Sequence, residues 1–480
     1  MNKPLKVHFT GICGVGTGAL AVALKKAGWT VTGSDKGFYP PVSTALTEAS
    51  IPYYAGWHPE NIGEVDIAVA GGVGTSPSNP EIKYFREKGI RLVSFAEAVG
   101  EFLVKKHSIV VVGTWGKTTS SSLLSFIFDK AGMNPSYFSG GVGIGRDAGA
   151  LTDSDWSIIE GDEYQVSIKE RRAKFFHYKP TDLLMTAMSW DHADLYPTEA
   201  LYMDAFKKLL ANLPRKGKIV YCIDNENLTS LINETIKEGA HDPDAFVSYG
   251  KSEKADYRYS NISHTKAGLS FTITYHGKEY VIKSPMLGAY NIENITGCFA
   301  MAREQGIAPG VTSDAIAEFP GLKRRLERRF ESADGTLTVI DAHAPTPEKA
   351  QAGLQSIREV YKGKIVAIFE PNIGGRQRAS AHMYDNTFID ATTVFIPRLT
   401  KLKIDENAEV QPLEGDELAT LMRKTHPSVE YVDNDETLVD SAIRYAQDIG
   451  PDNVIVFLGS HGFRGMIEEV VKKLSEIKTS

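Results

Sequence analysis

Short apolar runs punctuate this chain from end to end, with stretches of helical spacing between them. Lys6–Thr10, Ile109–Val112, Trp156–Glu160, Leu183–Met188, Lys218–Ile223, Ile365–Phe369, Thr392–Ile396 and Val454–Phe457 are rich in β-branched and aliphatic residues. They read as strands, and Trp156–Glu160 as one of the buried type. Leu20, Ala23 and Leu24, then Leu123, Leu124, Ile127 and Phe128, recur at helical spacing, and Lys349–Val360 reads as a further helix. Strand and helix in alternation predict an α/β chain with parallel sheets. Residues 244–283 differ: they read as short antiparallel strands with turns at Ala267-Gly268 and His276-Gly277, an insertion on a domain edge.

A chain of 480 residues is too long for one hydrophobic core. The pattern divides into residues 1–106, 107–321 and 322–480, with Phe319-Pro320-Gly321 marking the last boundary. Composition narrows the partners. The net charge is −7 (53 Lys and Arg against 60 Asp and Glu) with no long basic block, which argues against nucleic acid or an anionic membrane as the main partner. No apolar stretch is long enough to span a bilayer, and the N-terminus enters a strand almost at once, so neither a membrane span nor a signal peptide is expected. Cys13, Cys222 and Cys298 are too scattered for a disulfide framework or a thiolate metal motif, which fits a reducing cytoplasm.

The richest chemistry lies in HSIVVVGTWGKTTSSSLL, His107 to Leu124. A strand ends at Gly113 and runs through Thr114, Trp115, Gly116, Lys117, Thr118 and Thr119 into a helix. Unpartnered N–H groups at a helix start suit phosphate oxygens, Lys117 can neutralise the β- and γ-phosphates, and the Thr118 hydroxyl can ligate Mg²⁺. Val111 stands where the general pattern has its first glycine, so the loop is a shortened one; the alternative is an ordinary strand–helix turn. Gly11, Gly14 and Gly16 form a second glycine loop after a strand, and the next strand ends in Ser34 and Asp35, an arrangement suited to a nucleotide diphosphate and a ribose or uridine hydroxyl. Glycines serving only tight packing are the other reading, and GGVGTSPSNPE, from Gly71 to Glu81, is a further phosphate or turn candidate. Glu160 and His192 follow strands at the sheet end where ligands gather, and could hold a second Mg²⁺; Mg²⁺ prefers oxygen, so a structural histidine stays open. Asn291 and Asn294 lie on one helix face, where two amides could read an adenine edge.

These pieces resemble the Mur ligase family, ATP-dependent ligases that attach amino acids or peptides to UDP-N-acetylmuramate. The resemblance runs along essentially the whole chain, through GICG (Gly11–Gly14), GSD (Gly33–Asp35), YPPVST (Tyr39–Thr44), DEYQVSIKERRAKFFHYKP (Asp162–Pro180) and WDHADLY (Trp190–Tyr196). It implies a Rossmann-like N-terminal domain for the UDP part, a P-loop central domain for ATP, and an α/β C-terminal domain that closes over them with the amine. It also implies roles: Lys117, Thr118 and Glu160 with His192 for phosphate and two Mg²⁺, Asn291 and Asn294 for adenine, and Arg325 with Glu327 at the start of the closing domain. RRAKFFHYKP looks like the branch that adds a whole tripeptide, the murein peptide ligases, ahead of the L-alanine-adding branch. An acidic peptide would need cationic anchors, and Arg376, Arg378 and Arg464 are the candidates.

The implied reaction joins a UDP-linked amino sugar to an amino acid or short peptide through an acyl phosphate, in a monomer or weak dimer. Ala187, Ser189, Tyr290, Ala342, Pro345 and Asn372 depart from the family pattern and leave nucleotide posture and amine substrate open. The rivals are a ligase for another polymer precursor, a nucleotide-binding paralogue without activity, and a dehydrogenase; hydride chemistry has no need of GTWGKT.

Overall fold

The computed structural model describes residues 4–72, 76–167, 169–400, 412–447, 450–460 and 462–477. Three sheets carry the chain. The first has five parallel strands in the order Tyr53–Ala55, Thr30–Asp35, Lys6–Thr10, Ile67–Ala70, Arg91–Ser94. The second has ten, in the order Lys278–Ser284, Gly268–Tyr275, Tyr257–Thr265, Phe246–Gly250, Ile219–Cys222, Asp182–Met185, His107–Val112, Trp156–Glu160, Ser136–Phe138, Gly149–Ala150. The third has six: Arg325–Glu331, Leu337–Ala342, Asn453–Gly459, Ile365–Glu370, Thr393–Pro397, Val429–Val432, parallel except for the antiparallel first pair. This is the three-domain α/β architecture that the alternating strands and helices imply.

By contacts the chain forms two compact units. One comprises Met1–Ser263, Ser270–Pro285 and Tyr290–Pro320, and so holds both the first sheet and most of the second; the other comprises His264–Leu269, Met286–Ala289 and Gly321–Ser480.

The third sheet explains why its strands read as unbroken apolar runs. Val454, Val456 and Leu458 join one core cluster with Ile340, Ala367 and Phe369, while Ile455 and Phe457 join another with Val339, Val366 and Ile368. Each face is covered by helices, so every position of the strand is buried. Full burial of one such side chain contributes about 1.5–3 kcal/mol.

Two elements end elsewhere than their apolar runs suggest, with physical causes. The strand expected over Leu183–Met188 stops at Met185. Thr186 turns its hydroxyl onto the carbonyls of Val112 (3.2 Å) and Trp115 instead of continuing the ladder. The helix expected from Lys349 begins at Pro347, because the Thr346 side chain accepts the Lys349 N–H and proline suits the first turn.

Candidate functional site

The candidate phosphate loop is built as its residues dictate. The strand His107–Val112 delivers Gly113 at φ +133°, and Gly116 at φ +82° caps the helix Lys117–Lys130. Both glycines also sit where a side chain has no room: a Cβ at 113 would meet Thr186 Oγ1 and Ala187 O, and one at 116 would collide with Asn294 Oδ1. The loop is pinned to the neighbouring strand end, since Thr114 N donates to Ala187 O (2.8 Å) and Thr114 Oγ1 contacts both the Ser189 backbone and Tyr202 OH (2.9 Å). Ala187 takes part in these contacts through its backbone.

Within the cradle, Lys117 Nζ donates to Gly113 O (2.5 Å) and lies 2.9 Å from both carboxylate oxygens of Glu163. Thr118 Oγ1 donates to Glu160 Oε1 (2.9 Å), whose other oxygen accepts the Gly140 N–H (2.5 Å). Burial raises the pKa of Glu160, against the Gly140 N–H, Lys117 and Thr118; it raises that of Glu163 against Lys117. Asp162 is held below its ordinary range: burial works to raise it, but Lys174 at 2.5 Å prevails. Thr119 is buried in the helix behind the loop. Asn291 and Asn294 are buried one helical turn apart, with Asn294 Nδ2 donating to Asn291 Oδ1 (3.2 Å), and Asn294 packs directly on the loop at Gly116. Tyr290 is half-exposed at the start of the same helix.

His192, at φ +55°, has different acidic neighbours from the one the sequence suggests. Its Nε2 is 3.7 Å from Glu163 Oε1 and 4.0 Å from Asp191 Oδ2, and these three residues present ligand atoms all within 4.8 Å of one another. Glu160 stands with Thr118 instead. The two oxygen donors Thr118 and Glu160 fit Mg²⁺, and the Glu163–Asp191–His192 cluster is a second possible cation seat, mixed in oxygen and nitrogen. Glu163 and Asp191 were the residues sequence reasoning passed over. The carboxylate doublet Asp162-Glu163 just beyond a strand end was the available signal.

In the first domain, Gly11 at φ +88° lets the loop turn at the strand end, where Gly11 N and Ile12 N both donate to Ser34 O (2.8 and 3.0 Å). Asp35 Oδ2 accepts the Cys13 N–H (2.8 Å), so the carboxylate lies against the glycine loop. Gly14 is exposed at the helix N-cap, and Gly16 leaves room for Phe95 and Phe138, a packing role. Ser34 departs from its expected part: it is fully buried and donates its hydroxyl to Glu81 Oε2 (2.6 Å). The run Gly71–Glu81 lies partly outside the described residues.

The C-terminal domain accounts for the arginines expected as anchors. Arg376 is only 3% exposed; its Nε, Nη1 and Nη2 go to Leu413 O (3.0 Å), Thr400 O (2.9 Å) and Glu414 Oε1 (3.0 Å). Arg464 grips Asp435 through Nε and Nη2 (both 2.9 Å) and reaches the buried Glu370 at 3.3 Å. Arg378 pairs with Glu417 at 2.7 Å. Arg376 and Arg464 are thus engaged by carboxylates and carbonyls of their own domain, while Arg378 is exposed and pairs with Glu417 at the surface. Arg325 is exposed at the first residue of its strand. Asn372 has a local task, accepting the Gly375 N–H (2.9 Å) in the turn before Arg376. Asp341 is buried against Arg324 (3.5 Å) and Arg329 (3.6 Å), and burial pushes it up to about 6.

Three family models match the chain in sequence order: the Mur ligase family catalytic domain over residues 6–107, the Mur ligase middle domain over 111–302, and the Mur ligase glutamate ligase domain over 324–461. The UDP-N-acetylmuramate–L-alanine ligase of Bradyrhizobium sp. strain ORS 278 is 30% identical over 400 residues, covering 81% of this chain and 82% of that protein. Its counterpart from Rhodospirillum rubrum is 28% identical over 98% of this chain and 95% of its own length. In fold, the chain matches the crystal structure of UDP-N-acetylmuramate-alanine ligase from Thermotoga maritima with a TM-score of 0.78 at 22% identity, over 98% of this chain and 99% of that one. The likeness to L-alanine ligases along the chain overturns the tripeptide-adding branch expected from RRAKFFHYKP. The structure gives that segment a packing role: Ala173, Phe175 and Tyr178 are buried, Lys174 pairs with Asp162, and Arg172 pairs with Glu170 at 3.0 Å.

Proposed function

The chain belongs to the Mur ligase family and is an ATP-dependent ligase, and from that premise we propose that it adds one small amino acid, L-alanine first among them, to the carboxylate of UDP-N-acetylmuramate. The observation that carries this reading is the whole-length likeness to L-alanine ligases. The occupied guanidinium groups of Arg376 and Arg464 agree with it, because a single amino acid needs fewer cationic anchors than an acidic tripeptide.

The reaction has two steps. An oxygen of the sugar's carboxylate attacks the γ-phosphorus of ATP, the bond to the ADP oxygen breaks, and an acyl phosphate forms. The amine nitrogen then attacks the acyl carbon, inorganic phosphate leaves, and the nitrogen gives up a proton. Lys117 carries the charge that meets the transferring group, and the loop N–H groups ahead of the helix cradle the phosphates. Thr118 and Glu160 would hold one Mg²⁺, and Glu163, Asp191 and His192 a second. Bound there, the ions supply Lewis-acid stabilisation of phosphoryl oxygens. Asn291 and Asn294 are assigned to the adenine, and Gly11, Gly14 and Asp35 to the UDP portion.

The test incubates the protein with Mg-ATP, UDP-N-acetylmuramate and, separately, L-alanine, glycine, L-serine and L-Ala-γ-D-Glu-meso-diaminopimelate, reading ADP release and product mass. The expected result is an adduct one alanine heavier than the substrate. Faster turnover with the tripeptide would overturn the reading.

A further inference from the structure

Beneath the glycine loop of the first domain sits a carboxylate that the reaction does not use. Glu81, in the first turn of the helix Pro80–Glu87, is fully buried. Its Oε2 accepts the hydroxyls of Thr10 (2.9 Å) and Ser34 (2.6 Å) and lies 3.6 Å from His8 Nε2. Its Oε1 accepts Tyr54 OH and the His58 N–H, both at 3.1 Å. His8, Thr10 and Ser34 are themselves fully buried. A buried charge is expensive unless every lone pair is met, and four donors converge here on one group. Burial works to raise Glu81, yet His8, Ser34 and Thr10 hold it below its ordinary range, so it stays an acceptor at neutral pH.

The placement of those partners decides what the carboxylate does. Thr10 and Ser34 are the last strand residues but for Asp35 at the C-terminal rim of the two central strands. Gly11 follows Thr10, and Asp35 follows Ser34. The Ser34 carbonyl accepts Gly11 N and Ile12 N, and Asp35 accepts Cys13 N. Fixing the Ser34 side chain therefore fixes, within one residue, both the loop and the acid assigned to the UDP portion. We propose that Glu81 is the positioning residue of the UDP-sugar pocket, acting through Ser34 and Thr10 on Asp35 and the Gly11–Gly14 loop. This rests on the reading that the first domain holds the UDP portion.

Glu81→Gln keeps the volume but removes the charge and turns one oxygen into a donor, so the hydroxyls that donate to it must reverse and accept. The His58 N–H cannot reverse its role, so the amide is driven toward Thr10 and Ser34, the pair that holds the loop. The dissociation constant for UDP-N-acetylmuramate, measured by calorimetry, should rise about tenfold, the size of one lost buried hydrogen bond to a charged group. KM for the sugar should follow, while kcat at saturation and KM for ATP stay put. Phe102→Leu serves as a matched control: Phe102 packs edge-on against Trp29 at the opposite end of the sheet, so it should lower Tm without changing sugar affinity. Ser34→Ala breaks the same link with less disturbance and covers the case in which Glu81→Gln fails to fold; it should also weaken sugar binding severalfold. Unchanged sugar affinity in Glu81→Gln, or in Ser34→Ala where the first does not fold, overturns the proposal, provided that wild type binds and Asp35→Asn does not. A fall in kcat and a rise in every KM, matched by Phe102→Leu at equal Tm loss, overturns it as well. No binding by wild type would defeat the UDP-sugar reading itself.

Discussion

Lys117, at the end of the Gly113–Gly116 loop, forms an ion pair with Glu163, 2.9 Å apart, with the carboxylate almost fully buried. On the proposed assignment of Lys117 to phosphate, an incoming phosphate would compete with Glu163 for it.

Removing that competitor should tighten nucleotide binding when no magnesium is present. Glu163→Gln keeps the shape and deletes the charge, leaving Lys117 uncompensated beside the loop. We expect the dissociation constant for ADP in EDTA to fall severalfold, while ligase turnover in Mg-ATP drops because the Glu163–Asp191–His192 cluster has lost an acid. Calorimetry with and without the metal checks both signs. Weaker ADP binding in EDTA would show that Glu163 supports the lysine rather than competing for it.

Asp341 gives a pH signature. Its folded pKa, about 6, is raised chiefly by burial above the ordinary carboxylate value of 3.8. A raised acid binds its proton more tightly in the folded state, so the stability it contributes is present below the unfolded pKa and is lost as pH climbs through the folded one. The window runs from about pH 4 to about pH 6, and the loss is on the order of 3 kcal/mol. Asp341→Asn lacks this titration. The stability of wild type relative to that variant should therefore fall between pH 4 and 7, as read from thermal unfolding at each pH. A gap that stays flat across the window would contradict the raised pKa.

Arg376 was expected to touch substrate and instead holds its own domain together. Arg376→Ala would strand Leu413 O, on a buried residue, and free Thr400 O and the Glu414 carboxylate, both on exposed residues. We expect a loss of about 2–4 kcal/mol in unfolding measurements, with KM for the amine unchanged in protein that remains folded. A raised amine KM at unaltered stability would restore the anchor role.

What the sequence made legible follows from range. The strands were readable because double-sided burial leaves continuous apolar runs, as at Val454–Phe457, and the strand–glycine loop–helix turn because Gly113, Gly116 and Lys117 are neighbours in the chain. The partners of Arg376 were not readable, since Leu413 and Glu414 lie 37 and 38 residues away and only the fold brings them in. Ser34 looked like a ligand contact because it adjoins Asp35, yet successive strand residues face opposite ways, and its hydroxyl meets Glu81, which is 47 residues on. His192 has a left-handed backbone and lies 3.7 Å from Glu163, which no spacing rule announces.

Gly116 separates backbone strain from site geometry. At φ +82° any side chain is strained, and here a Cβ would also drive into Asn294 Oδ1, the amide assigned to adenine. Gly132, after the same helix, has φ +77° but open space around its Cα. Alanine at either position should cost about 1 kcal/mol of stability through the backbone alone. Gly132→Ala should stop there, with turnover intact. Gly116→Ala should in addition displace Asn294 from the loop, raising KM for ATP and cutting ADP release by at least about tenfold, because displacements of this size at a positioned site are costly. Steady-state kinetics and thermal unfolding on the two variants make the comparison. Equal activity in both would mean that Asn294 does not need its seat against Gly116, and the adenine assignment would fall with it.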